Sequence, residues 1–194
     1  MKEFVRKYRE NFVSLLASTI YTDRAEMEKP LDEGVEASCA LIMEQAQTGG
    51  KLVFIGNGGS AAISSHMSID FWKNGNIPSM SFNDGALLTC LGNDYGYEMV
   101  FEKPIAMFMK KEDVLVAISS SGRSENILRG VKAAGEMGCH VITCSGFTED
   151  NPLRTMGSHN FYVPAGKYGY VEIMHQYLCH WILDSILYSR SICK

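Results

Sequence analysis

The sequence predicts an α/β protein: a three-layer sandwich with a five-stranded parallel sheet, preceded by two helices. Five short apolar runs lie between residues 52 and 163, and helix-length segments separate them. The runs lack the polar alternation of strands that expose one face to water, as expected for parallel strands covered by helices on both faces. Right-handed crossovers through the intervening segments would supply those helices.

The first 48 residues are expected to form a helical pair. The predicted first helix, 4–20, carries apolar residues on one face, namely Phe4, Tyr8, Phe12, Leu15 and Leu16. The second, 31–47, also repeats apolar residues at helical spacing, and Gly49-Gly50 would end it. We expect residues 1–194 to form one domain in which this pair, 1–48, precedes an α/β core, 51–190.

The five apolar runs are the predicted strands, in chain order 52–55, 79–82, 114–118, 141–144 and 160–163. A helix over about 171–189 is expected to close the chain. Open parallel sheets bind their ligands beyond the carboxyl ends of the strands. The segments after the first and third runs are therefore where functional residues are expected.

Charge and composition exclude several classes of protein. A net charge of −4 over 194 residues provides no broad basic surface, which argues against nucleic acid as the main ligand. No apolar run approaches the ~20 residues of a membrane-spanning helix, so no membrane partner is expected. Glu3 and Glu10 interrupt the basic start of the chain. That start is unlike a signal peptide and favours a cytoplasmic protein.

The cysteines predict free thiols rather than disulfides. They lie in apolar segments and show no CxxC spacing. Buried free thiols are typical of proteins from reducing compartments. The six residues are Cys39, Cys90, Cys139, Cys144, Cys179 and Cys193.

A glycine-rich turn, Gly56-Asn57-Gly58-Gly59-Ser60, follows the first predicted strand and precedes a helix. Unpaired N–H groups at such a helix start favour an anion. The same turn satisfies the GxGxxA dinucleotide fingerprint, with Asp84 as its acidic residue, which keeps a dehydrogenase open as an alternative. A tight strand-to-helix turn without a ligand is the other alternative.

A serine-rich loop, Ser119 to Ser124, follows the third predicted strand and also precedes a helix. Hydroxyl and backbone N–H donors that converge on one point suit a phosphate monoester, and Gly122 would allow close approach. The alternative is a loop in which Ser121 or Ser124 only caps the helix. No GxxxxGK[ST] segment exists, which excludes nucleotide hydrolysis through a P-loop.

A third candidate group comes from helices. His66 and Asp70 are four residues apart, and Glu172, Gln176 and His180 form a second stripe at the same spacing. These imidazoles and carboxylates suit either proton transfer or a four-ligand metal site. Solvated helix faces are the alternative. His175 lies off that stripe and is expected to pack in the core.

The order of these motifs resembles the SIS (sugar isomerase) family, particularly its phosphoheptose isomerase branch. The matching residues are the glycine-rich turn, Gly92-Asn93-Asp94, the serine loop and Glu172-x-x-His175-x-x-x-x-His180. The resemblance implies a flavodoxin-like fold and a homotetramer with active sites between subunits. It implies an aldose–ketose isomerase that acts on a sugar phosphate, most simply sedoheptulose 7-phosphate, without an organic cofactor.

The resemblance also implies roles for individual residues. The phosphate would be held by the serines of the loop, which are Ser119, Ser120, Ser121 and Ser124. The sugar would contact Asn57, Gly58, Gly59, Ser60, Asn93 and Asp94. Zinc would bind to His66, Asp70, Glu172 and His180. Proton transfer would use Asp70 or Glu172 as the base and His180 as the acid.

Two of these positions depart from the family pattern, which has glutamate where this chain has Asp70 and glutamine where it has Glu172. Asp70 is one methylene shorter than that glutamate, which weakens its reach toward a substrate carbon. Glu172 adds a second carboxylate, which favours a divalent cation. A non-catalytic phosphosugar-binding protein with a protein partner is therefore the alternative to an enzyme.

Overall fold

The computed structural model describes residues 1–192 of the chain. Seven strands lie in this part: β1 (Ile20–Asp23), β2 (Glu28–Lys29), β3 (Leu52–Gly56), β4 (Ser79–Ser81), β5 (Val114–Ser119), β6 (His140–Gly146) and β7 (His159–Val163). The α-helices are α1 (Lys2–Ser18), α2 (Leu31–Gln47), α3 (Gly59–Lys73), α4 (Gly85–Asp94), α5 (Glu102–Phe108), α6 (Glu125–Glu136) and α7 (Tyr168–Ile192).

The sheet has seven strands in the order β2-β1-β7-β6-β5-β3-β4, so the prediction of a sheet with only five strands, all parallel, is wrong in the number of strands. The predicted runs are β3 to β7, which pair in parallel in the flavodoxin-like order. The two added strands pair antiparallel, β1 on β7 and β2 on β1. They extend the edge of β7, and the sheet is therefore mixed.

Helices cover both faces of the sheet. Phe54, Val116 and Ile142 project from one face into a core formed with α2, α3 and α7. Val53 and Leu115, their neighbours in sequence, project from the other face toward α5 and α6. This burial on both faces explains the continuous apolar runs in the sequence.

The N-terminal helices pack on the same side as α7. Helix α2 has the predicted bounds, and Gly49, with φ +83°, follows its end. Helix α1 buries Leu15 and rests Tyr8, Phe12 and Leu16 against the core, as its spacing predicts. Phe4 on the same helix remains exposed.

Two expectations from the sequence concern membrane-spanning helices and disulfides. No helix within residues 1–192 combines the length and the apolar character needed to cross a bilayer. Five cysteines, Cys39, Cys90, Cys139, Cys144 and Cys179, are free thiols, and all except Cys90 are buried. Cys193 lies outside the described residues.

Candidate functional site

A cleft of about 310 Å³ opens at the carboxyl ends of β3 and β5. The glycine-rich turn lines one part of it and the serine loop another, because these strands are neighbours in the sheet. Tyr168 and Glu172, from the start of α7, complete the lining. The residues that line the cleft are Asn57, Gly58, Gly59, Ser60, Ser119, Ser120, Ser121, Ser124, Tyr168 and Glu172.

The serine loop is held in shape by a glycine. Gly122 has φ +61°, a backbone conformation that residues other than glycine rarely adopt. A Cβ at this position would also lie 2.0 Å from Asn151 Oδ1. The Gly122 N–H donates to Ser119 Oγ at 3.2 Å, which closes the loop on itself. This local requirement explains glycine between the serines.

The serine hydroxyls are not used to cap α6. Ser124 stands at the N-cap position but makes no side-chain cap bond, so the capping alternative does not describe this loop. Ser120 Oγ is buried and has no hydrogen-bond partner. Ser119 Oγ lies 3.5 Å from Ser124 Oγ. Donors therefore remain free at the start of a helix, where the helix dipole favours an anion.

Asn57, in the glycine-rich turn, is fixed by a network of side chains. It exchanges two amide hydrogen bonds with Asn126, each of 2.9 Å. The Tyr97 hydroxyl donates to Asn57 Oδ1 at 3.0 Å. The turn after β3 is thereby tied to α6, which follows the serine loop. Asn126 and Tyr97 are not among the predicted site residues. They lie far from Asn57 in the sequence, so only the folded structure shows that they contact it.

Asp84 does not serve as the acidic residue of a dinucleotide site. Its carboxylate accepts hydrogen bonds from the N–H groups of Ala86 and Leu87, at 3.0 and 3.1 Å. It is the N-cap of α4. This capping role explains Asp84 without a nucleotide and removes the acidic residue on which the dehydrogenase alternative relied.

Glu172 contributes the acidic group of the cleft. Its carboxylate lies against Gly59, where a Cβ would come within 2.4 Å of Glu172 Oε1. Of the described residues that line the cleft, none is basic. The Arg123 guanidinium instead pairs with Asp150 Oδ1 at 2.7 Å. An anion in the cleft would therefore be held by hydroxyl and backbone donors rather than by a cationic side chain.

Three of the four predicted metal ligands come together between α3 and α7. His66, Asp70 and His180 each offer a ligand atom within 4.8 Å of the others. His66 Nε2 lies 3.3 Å from Asp70 Oδ2, and the two imidazole rings are 5.5 Å apart between centroids. Glu172 is not in this group, because its carboxylate is turned to Gly59 in the cleft.

Gln176 takes the place beside His180 that Glu172 was expected to fill. Gln176 Nε2 lies 3.3 Å from His180 Nε2. Its i,i+4 spacing to both Glu172 and His180 was visible in the sequence, and that spacing alone could have included it. One helical stripe therefore serves two places, with Glu172 in the cleft and Gln176 with His180 at the three-residue group.

His175 is a core residue, as its position off the stripe predicts. It is fully buried, and its Nε2 donates to the Ser145 carbonyl at 3.0 Å. Burial lowers the pKa of this imidazole to about 4, against the smaller opposite effect of the Ser145 hydrogen bond. The side chain is therefore neutral near pH 7 and has a structural role.

Asn93 and Asp94 are not brought to the cleft. They lie exposed at the end of α4, where Asn93 Nδ2 donates to Asp94 Oδ1 at 2.9 Å. Their expected contact with a sugar stays a prediction. Tyr168, in contrast, lines the cleft without having been predicted. Its position depends on where α7 begins, three residues earlier than the spacing suggested.

Comparison with known proteins identifies the family. A model of the SIS domain matches residues 17–146, which include β3, β5, the glycine-rich turn and the serine loop. The chain belongs to the SIS domain family. The match spans more than half of the chain and confirms the family resemblance that the motifs indicated.

Several relatives of this SIS domain are named phosphoheptose isomerases. The protein of Cytophaga hutchinsonii is 35% identical over 135 residues, which cover 67% of this chain and 70% of that protein. The protein of Aliarcobacter butzleri is 28% identical over 176 residues, which cover 88% of this chain and 87% of that protein. The structure of phosphoheptose isomerase from Neisseria gonorrhoeae matches with a TM-score of 0.83 at 28% identity, over 95% and 98% of the two chains.

Proposed function

We propose that this SIS domain is a phosphoheptose isomerase that interconverts sedoheptulose 7-phosphate and an aldose heptose 7-phosphate. The observation that carries the proposal is one cleft that joins the serine loop to the carboxylate of Glu172. One substrate molecule can then place its phosphate in the serine loop while Glu172 transfers a proton on its carbon chain. The names of the similar proteins support the seven-carbon substrate.

The serine loop is the proposed phosphate site. Ser119, Ser120, Ser121 and Ser124 supply hydroxyls, and the first N–H groups of α6 lie beside them. Ser120 Oγ supports this role directly, because a buried hydroxyl without a partner is costly unless a ligand satisfies it. Asn57, Gly58, Gly59 and Ser60 are the proposed contacts of the sugar. Asn93 and Asp94 keep that role only as an expectation from the family resemblance.

Glu172 is the proposed base. Isomerisation needs a base that takes a proton from one of the two reacting carbons and returns it to the other, while the hydroxyl proton moves to the carbonyl oxygen. Glu172 is the acidic side chain among those lining the cleft. Asp70 is shorter and is held with His66 between α3 and α7. Glu172 of α7 thus supplies to the cleft the carboxylate that the shorter Asp70 of α3 does not.

Zinc fits the group formed by His66, Asp70 and His180. Two imidazoles and one carboxylate are the donor types of catalytic zinc sites, which keep a fourth position open. The 3.3 Å between His66 Nε2 and Asp70 Oδ2 agrees with the about 3.4 Å expected between two ligands of tetrahedral zinc. When bound, zinc would stabilise negative charge on the reacting oxygens.

His180 is proposed to act as the acid as well as a zinc ligand. An imidazole that binds a metal through one nitrogen keeps a proton on the other, so His180 can exchange a proton with a sugar oxygen. Gln176 Nε2 lies 3.3 Å from His180 Nε2, and that nitrogen accepts from the amide only while it is neither protonated nor bound to a metal. Glu172 is left free of the metal for proton transfer.

The proposal includes a homotetramer in the cytoplasm. Apolar side chains are exposed on α1 and also around the His66 group, which supports contacts between subunits. These residues are Phe4, Val5 and Val13 on α1, Ile69 and Trp72 on α3, and Ile173 and Tyr177 on α7. The free thiols of the described residues support a reducing compartment.

A panel of sugar phosphates, assayed for aldose–ketose conversion with and without a chelator, tests the function. We expect turnover of sedoheptulose 7-phosphate that falls when zinc is removed and returns when zinc is added. Tight binding without turnover would support the non-catalytic alternative instead. Nicotinamide cofactor should have no effect on either measurement.

Two matched variants test the assignment of the base. Glu172→Gln removes the carboxylate but keeps its shape, and Asp70→Asn does the same on α3. We expect Glu172→Gln to abolish turnover and keep zinc, whereas Asp70→Asn should lose zinc. Loss of turnover in Asp70→Asn with zinc retained, together with an active Glu172→Gln, would transfer the role of base to Asp70.

A further inference from the structure

Tyr168 is an aromatic residue in a cleft otherwise lined by small and polar side chains. It is the first residue of α7 and is 61% exposed. Among the described residues that line the cleft, it is the single aromatic one. A tyrosine offers a flat apolar ring and a hydroxyl at its tip, and it loses little conformational freedom on binding a ligand.

The ring of Tyr168 is supported from behind by Phe147. The two ring centroids are 4.9 Å apart and the planes meet at 74°, a favourable edge-to-face arrangement. Phe147 directly follows β6, so its position is set by the sheet. An exposed side chain is thus kept in place by a residue that does not itself line the cleft.

Phe147 adopts a strained backbone conformation. Its φ is +60°, in the left-handed region that non-glycine residues rarely occupy. Two hydrogen bonds hold it there: the Phe147 N–H donates to Ala165 O at 3.1 Å, and the Tyr162 hydroxyl donates to Phe147 O at 3.0 Å. Such strain persists only where surrounding contacts enforce it, and it is often found at functional sites.

We propose that Tyr168 is a specificity-determining residue that packs its ring against the carbon chain of the sugar phosphate, and that Phe147 is its positioning residue. The proposal rests on the proposed function for the identity of the ligand. Phosphate binding by the serine loop needs no aromatic group, whereas the C–H groups of a sugar gain from an apolar face. Tyr168 then distinguishes a sugar phosphate from phosphate alone.

The test compares two ligands on each variant. Calorimetric titration measures the affinity for sedoheptulose 7-phosphate and for inorganic phosphate. With Tyr168→Ala we expect the sugar-phosphate affinity to fall about tenfold, while the inorganic phosphate affinity changes less than about twofold. Tyr168→Phe separates the ring from the hydroxyl and should keep most of the sugar affinity. Tyr188→Ala, at a 69% exposed tyrosine outside the cleft lining, is the control and should change neither affinity.

Phe147→Gly tests the positioning role. Glycine relieves the strained φ but also removes a ring that packs against the core, so the melting temperature and circular dichroism of this variant are measured first to show that it is folded. We expect weaker sugar-phosphate binding and a KM that rises more than kcat falls. Equal sugar-phosphate affinity in the wild type and in Tyr168→Ala would overturn the proposal. Binding of sugar phosphates without turnover by the wild type would overturn the isomerase function and leave the affinity comparison readable.

Discussion

The carboxylate of Glu172 lies directly against the backbone of Gly59. A Cβ added at Gly59 would sit 2.4 Å from Glu172 Oε1 and 2.5 Å from Oε2, well inside van der Waals contact. Gly59 is the first residue of α3, and Glu172 lies in the first turns of α7. The position of the proposed base therefore depends on the absence of a side chain on another helix.

Gly59→Ala should displace Glu172 and lower turnover. Because a small misplacement of a reacting group can cost about a hundredfold in rate, we expect kcat to fall at least tenfold while inorganic phosphate still binds. Steady-state kinetics and calorimetry check the two parts. Gly85→Ala is the matched control, since a Cβ at the first residue of α4 meets nothing within 4 Å. Equal kcat in both variants would contradict the assignment of Glu172.

Replacing Ser119, Ser121 and Ser124 together by alanine should remove the phosphate site. Hydrogen bonds to a charged group contribute about 1.5–3 kcal/mol each, so the affinity for sugar phosphate should fall by orders of magnitude. Calorimetry on the folded variant measures this loss, with circular dichroism as the control for folding. Inorganic phosphate should compete with the sugar in the wild type. An unchanged affinity would show that the phosphate binds elsewhere.

Gly122→Ala should distort the serine loop without unfolding the sheet. The residue has φ +61°, and a Cβ would collide with Asn151 Oδ1. The left-handed conformation alone costs about 1–2 kcal/mol for a residue with a Cβ, and the displacement of buried Asn151 adds to it. We expect weaker phosphate binding and a lower melting temperature. Wild-type values for both would contradict the requirement for glycine.

Local patterns were sufficient to predict most of the fold. The apolar runs at 52–55 and 114–118 became β3 and β5, because strands buried on both faces need no alternation. The segment Ile20–Asp23 was different, since its strand joins the main sheet by pairing with β7, over a hundred residues later. No local signal distinguishes such a short strand from the end of a helix or a loop.

The candidate site divided in the same way. Motifs that follow strands were predictable, because strand ends meet at one edge of the sheet, as the serine loop and the glycine-rich turn do. The direction of Glu172 was not predictable, because it depends on the space left at Gly59. Helical spacing placed Glu172 and Gln176 on one stripe but could not say which of them lies beside His180.

Zinc content should depend on three residues and not on Glu172. His180→Ala removes one of three ligands, so zinc per chain should fall well below one equivalent. Glu172→Gln should keep its zinc, because the Glu172 carboxylate lies in the cleft. Elemental analysis of protein purified without chelator measures both. Sub-stoichiometric zinc in the wild type, with activity indifferent to chelator and to added zinc, would leave a metal-free acid/base site.

Stability should fall as the pH drops below the ordinary pKa of histidine, because His175 is buried in its neutral form. Burial lowers the pKa of His175 from 6.5 to about 4 in the folded chain. Between these pH values the unfolded chain binds a proton at His175 that the folded chain does not bind. The contribution of neutral His175 to the free energy of unfolding is therefore complete above pH 6.5 and is lost progressively toward pH 4. The loss amounts to about 3 kcal/mol.

Urea denaturation at a series of pH values measures this loss of stability. His175→Gln, which cannot titrate and can still donate to Ser145 O, should show a flatter profile than the wild type. Parallel profiles for the two proteins would mean that other groups, chiefly carboxylates, account for the acid sensitivity.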